Sequence, residues 1–111
     1  MKIDHKLPEM LDAVHQAATS TSLFIESHIK IRAIPVTAYL VGGGIDGGAG
    51  GGLDTFIHAQ LRIKEGRTAE QKKRLSSVVI DAINTMNFPV KVTTVEVVDI
   101  DSSSYAKQSN G

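Results

Sequence analysis

The chain has 111 residues and a mass of 11.9 kDa, with 12 Lys+Arg against 12 Asp+Glu, a length that fits one domain around one ordinary core. Its balanced charge leaves no uniform field for phosphate backbones or anionic membrane surfaces, which argues against a nucleic-acid partner. With no cysteine, no Trp, 41% apolar and 5% aromatic residues, it has no disulfide framework, thiolate nucleophile or Cys-ligated zinc, and its core is expected to be aliphatic.

At the start, Met1 to Lys6 sets Lys2, Asp4, His5 and Lys6 around a single Ile3, a poor central strand. Leu7, Met10, Leu11, Val14, Ala17 and Ala18 then recur at helical spacing, and Pro8 suits a first turn where its missing N–H is not needed. The spacing predicts a helix over about residues 8–19. Thr19 to Ser22 should stop it, because short hydroxyl side chains compete for backbone hydrogen bonds, and a turn or irregular segment follows through Glu26. Glu9, Asp12 and His15 interrupt Leu7 to Ala18 as a signal sequence, and no apolar run reaches the roughly 18 residues of a membrane span. The expectation is a cytoplasmic protein with no membrane segment.

His28 to Val41 is rich in β-branched residues, and Ile29 and Ile31 alternate with His28, Lys30 and Arg32, which predicts a strand. Pro35 lacks a ladder donor and marks an edge or a bulge. Gly42 to Gly52 holds eight of the chain's ten glycines, the composition of a connection. Alternation resumes from Asp54 to Ile63, with Ile57, Ala59, Leu61 and Ile63 on one face and Phe56, His58, Gln60 and Arg62 on the other. Thr68 and Gln71 form a capping-box pair ahead of Leu75, Val78, Val79, Ala82, Ile83 and Met86, predicting a helix over about residues 69–86. Asn87 can take a left-handed C-terminal position and Pro89 prevents continuation. Lys91 to Ile100 reads as a last strand, and Asp101 to Gly111 as a polar tail, loose or docked on a neighbour. The order is helix, strand, Gly-rich link, strand, helix, strand, nearly two copies of a β-α-β unit. It predicts a single α/β (α+β) two-layer sandwich with mainly parallel pairing and both helices on one face.

The stretch from Thr55 to Thr68, a strand ending in a Gly66-Arg67-Thr68 corner that runs into a helix, resembles the 5-carboxymethyl-2-hydroxymuconate isomerases of the tautomerase superfamily. Leu7-Pro8, the alternating His28 to Arg32 segment and Tyr105-Ala-Lys-Gln108 add weaker echoes, so the likeness runs from Leu7 to about Asn110. It implies a tautomerase-like β-α-β repeat, a homotrimer, and cofactor-free proton transfer on an unsaturated dicarboxylate in aromatic-acid catabolism. In such chemistry an N-terminal proline amine is the general base, and arginines hold the carboxylates and the charge that develops. Met1 and Lys2 stand where the likeness calls for that proline. The first strand is expected to be missing or shortened: either the sequence starts about one strand late or this is a relative that has lost the base, and no catalytic base is identifiable, since the nitrogen of Pro8 is acylated within the chain.

The resemblance makes Arg67 a substrate-binding candidate, at a corner just before a helix N-terminus where anions are favoured. Lys30 falls where the family has another carboxylate-binding arginine, although a point charge cannot reproduce its fork, and Arg32 sits two residues on. His58 has a counterpart too, but reads first as a half-buried sheet histidine satisfied by a neighbour. His5, His15, His28 and His58 lack metal-ligand spacing, so no metal is expected. Gly42, Gly44 and Gly47 match G-x-G-x-x-G but run into a strand instead of opening a helix, which excludes a dinucleotide fingerprint. Ser102, Ser103 and Ser104 read as a solvated tail. Two functions remain open: the isomerase, and a catalytically silent carboxylate-binding or assembly protein on the same fold.

Overall fold

The computed structural model describes residues 6–25, 28–36 and 55–110. The readings made on Met1 to His5, Glu26, Thr37 to Val41 and the Gly42 to Gly52 link lie outside the described residues. The elements are α1 (Leu7–Ser20), β1 (Phe56–Lys64), α2 (Ala69–Asn84) and β2 (Val92–Ile100). Among the described residues the two strands form one parallel sheet, in register from Phe56 opposite Val92 to Lys64 opposite Ile100. A parallel pair needs a crossover, and α2 supplies it. This is the β-α-β unit that the sequence predicts, in a small α+β structure consistent with a two-layer tautomerase-like fold.

Each helix ends where its hydroxyl and turn residues dictate. Pro8 stands in the first turn of α1. At the other end Thr19 Oγ1 donates to the His15 carbonyl at 2.8 Å and Ser20 Oγ to that of Ala17 at 2.6 Å. Buried Thr21 donates to Ala18 at 2.7 Å and accepts from the Leu23 amide at 3.3 Å, and Ser22 takes a left-handed φ of 60°. In α2 the predicted capping box is complete: Thr68 Oγ1 accepts from the Gln71 amide at 3.1 Å, and Gln71 Oε1 from the Thr68 amide at 2.8 Å. Asn87 adopts the left-handed conformation, φ 53°, as predicted.

The core lies between the helices and the inner face of the sheet. Leu75, Val79 and Ile83 on α2 are almost wholly buried, with Val14 and Ala18 from α1 and Ile63 from β1; burying each larger aliphatic chain contributes roughly 1.5–3 kcal/mol. Buried Phe88 joins them, so the expected aliphatic core is not purely aliphatic; the turn at Asn87 delivers this ring. Buried Thr55 joins the two strand starts: its carbonyl accepts from Lys91 at 3.0 Å and Val92 at 3.3 Å, and its hydroxyl donates to the Pro89 carbonyl. At the opposite end Lys72 on α2 pairs with Asp99 on β2 at 3.1 Å.

The strand predicted from His28 is not formed within 28–36. Its alternation is real as burial, since Ile29 and Ile31 pack on the core while His28, Lys30 and Arg32 are exposed. A strand also needs a ladder partner, and among the described residues none pairs with this segment.

Candidate functional site

Strand β1 ends at Lys64 and α2 begins at Ala69, so Gly66, Arg67 and Thr68 turn the chain through the corner. Gly66 has φ +116°, a conformation that side chains with a Cβ rarely adopt. Thr68 caps the helix. Arg67, half-buried, is held between them: Nη1 donates to the Lys64 carbonyl at 3.0 Å and Nη2 to the Leu23 carbonyl at 2.8 Å. Its guanidinium lies over the Phe24 ring, 4.9 Å from the centroid. A guanidinium carries five N–H donors in one plane, so these two bonds leave three for an anion. The corner lies just past the carboxyl end of β1, where parallel sheets carry their ligand sites.

Among the described residues none of the other candidates makes a hydrogen bond or ion pair with Arg67. Lys30 and Arg32 are exposed, and among the described residues neither makes a hydrogen bond or ion pair. Because 28–36 is not a strand, the expectation that they share a strand face with each other is corrected: they are two exposed cations on an irregular segment. His58 is on the outer face of β1, away from the helices, and its side chain is 41% exposed where a half-buried one was expected. The expected neighbours are present. Its Nδ1 meets Thr94 Oγ1 at 2.7 Å, and its Nε2 stands 3.3 Å from Glu96 Oε1, which also accepts from Gln60 at 2.9 Å. A carboxylate only accepts, so Nε2 carries the proton. The hydrogen bonds from Gln60 and then His58 lower the Glu96 pKa. This network satisfies His58, Gln60, Thr94 and Glu96 among themselves.

A groove of about 460 Å³ lies at the other end of the β-α-β unit, lined by Ile83, Asn87, Phe88 and Val92 among others. The length of α2, about 24 Å at 1.5 Å per residue, separates it from Arg67, and none of the candidate residues lines it. Among the described residues no three His, Asp or Glu side chains cluster as metal ligands, and no helix is long and apolar enough to cross a membrane. Sequence reasoning missed Leu23 and Phe24, the partners of Arg67. Their signal was faint, an apolar pair in a stretch read as a turn and separated from the corner by more than forty residues.

A sequence search finds no matching curated protein. The model of the family described as 5-carboxymethyl-2-hydroxymuconate isomerase matches residues 1–110, nearly the whole chain and including the Gly66-Arg67-Thr68 corner. The chain therefore belongs to the 5-carboxymethyl-2-hydroxymuconate isomerase family, which sets its function among the isomerases.

Proposed function

We propose that the protein is a cofactor-free isomerase of the 5-carboxymethyl-2-hydroxymuconate Δ-isomerase type, which moves a proton between two carbons of an unsaturated dicarboxylate during the breakdown of aromatic acids. The observation that carries this reading is the Arg67 corner: an arginine fixed by two main-chain carbonyls at the carboxyl end of β1, in a chain that matches the isomerase family over residues 1–110. When a base removes a proton from the carbon next to the conjugated system, the electron pair delocalises towards a carboxylate or carbonyl oxygen, and the base, exchanging with solvent, returns a proton at a more distant carbon. A guanidinium plane favours the charge on that oxygen more in the transition state than in the substrate. Lys30 and Arg32 are the further cations proposed for the second carboxylate, and His58 is the remaining candidate. The reading includes a cytoplasmic homotrimer, whose contacts would use the exposed outer sheet face.

A second reading, carboxylate binding or assembly without turnover, is favoured by Pro8, whose nitrogen is a peptide nitrogen inside α1 and has no basicity. One experiment separates the two. Protein purified from its native source is assayed on 2-hydroxymuconate-type dienols by ultraviolet absorbance and by deuterium uptake from solvent, as wild type and as Arg67→Lys. Turnover that falls about 10²-fold in Arg67→Lys supports the isomerase. Binding with no turnover supports the second reading, and neither binding nor turnover removes both.

A further inference from the structure

We infer that Phe24 is a positioning residue for the Arg67 guanidinium, presetting the plane in which Arg67 receives a carboxylate; the inference rests on the carboxylate-binding reading of Arg67. Bidentate recognition depends on the orientation of the guanidinium plane as well as on its charge. Here that plane is fixed from two separate parts of the chain. The Lys64 carbonyl holds Nη1 from the end of β1, and the Leu23 carbonyl holds Nη2 from the turn after α1. The Phe24 ring covers one face, 4.9 Å from Cζ, within the roughly 6 Å over which a ring quadrupole attracts a cation. Two edge contacts alone would let the plane tilt about the line joining them, and a ring against the face removes that freedom. The turn itself is built for this. Buried Thr21 ties the Leu23 amide back to the end of α1, and Ser22, at φ 60°, reverses the chain so that Leu23 and Phe24 both reach the corner. Phe24 also packs against the core, so its electronic part must be separated from its packing.

The test replaces Phe24 with 3,4,5-trifluorophenylalanine, which keeps the ring's shape but depletes the electron density that attracts a cation, and with Leu and Tyr. Two measurements are made: the affinity for muconate by calorimetry, and the solvent exchange of the Arg67 Nε–H by nitrogen-15 NMR in the free protein. The expected result is a roughly fivefold weaker Kd for the fluorinated ring and for Phe24→Leu, faster Nε–H exchange in both, and near wild-type values for Phe24→Tyr. In an Arg67→Lys background the fluorinated ring should change muconate affinity no further. Unchanged affinity and unchanged exchange with the fluorinated ring would overturn the inference, as would an effect that persists in full in that background. If wild-type protein binds no muconate, the carboxylate reading fails; the exchange comparison still decides whether Phe24 orders Arg67.

Discussion

Gly66 stands at φ +116°, and a Cβ built there would meet no atom within 4 Å. The space is open, so only the backbone conformation requires glycine. Placing a residue with a Cβ in the left-handed region costs about 1–2 kcal/mol, and Gly66→Ala should lower stability by that amount in urea unfolding. Because the same φ aims Arg67 at the Lys64 and Leu23 carbonyls, the substitution should also speed exchange of the Arg67 guanidinium protons; unchanged exchange would separate the turn from the arginine. Gly66-Arg67-Thr68 carried most of the sequence resemblance, and each residue has a local part, the first by its conformation, the second by its bond to the Lys64 carbonyl and the third as a helix cap. That is why this corner was legible. Phe24 was not, since its partner is distant in sequence and a lone aromatic after a helix has no periodicity to betray it.

Among the elements, α2 was the most legible because two independent signals coincide on it, the helical spacing of Leu75, Val79 and Ile83 and the Thr68–Gln71 box. Removing the Thr68 hydroxyl leaves the Gln71 amide without its acceptor; Thr68→Ala should therefore cost about 1 kcal/mol, measured as a fall in the urea midpoint at unchanged slope. Thr68→Ser keeps the acceptor and should recover most of it. The irregular segment 28–36 marks where period-2 reading stops. Alternation reports which side chains face the core, and Ile29 and Ile31 do so. Ladder pairing is a long-range fact that alternation does not contain. The same limit applies to Lys30 and Arg32, whose shared face depended on a strand.

At the scale of the whole molecule, the radius of gyration of 15.7 Å exceeds the roughly 13 Å of a compact chain of this length, and the tail contributes to that. Residues 101–110 are exposed throughout, yet the tail is fastened at its root, on the carboxyl side of both strands. Glu65 accepts from the Ser102 hydroxyl at 2.5 Å and from its amide at 3.1 Å, Asp101 accepts from Ser103, and Lys64 lies 5.7 Å from the centre of the Tyr105 ring. The sequence allowed a loose or docked tail, because serines beside acids satisfy each other in either state. Hydrogen bonds to the charged carboxylate, first from the Ser102 hydroxyl and then from its amide, hold Glu65 below its ordinary 4.5. Asp101 is held below 3.8 by the Ser103 hydroxyl and then its amide. A lowered folded-state pKa means that the unfolded chain binds the proton more readily. These contacts therefore contribute in full above about pH 4.5 and are lost as pH falls through the lowered values. Carboxyl titration by NMR should find Glu65 below 4.5 in the wild type and shifted back towards 4.5 in Ser102→Ala, only partly because the amide bond survives. The tail amides from Ser102 to Tyr105 should lose their hydrogen-exchange protection over the same acid interval. A Glu65 that titrates at 4.5 in both proteins would mean that the tail is not held there, leaving Lys64 and Tyr105 as its attachment to the sheet.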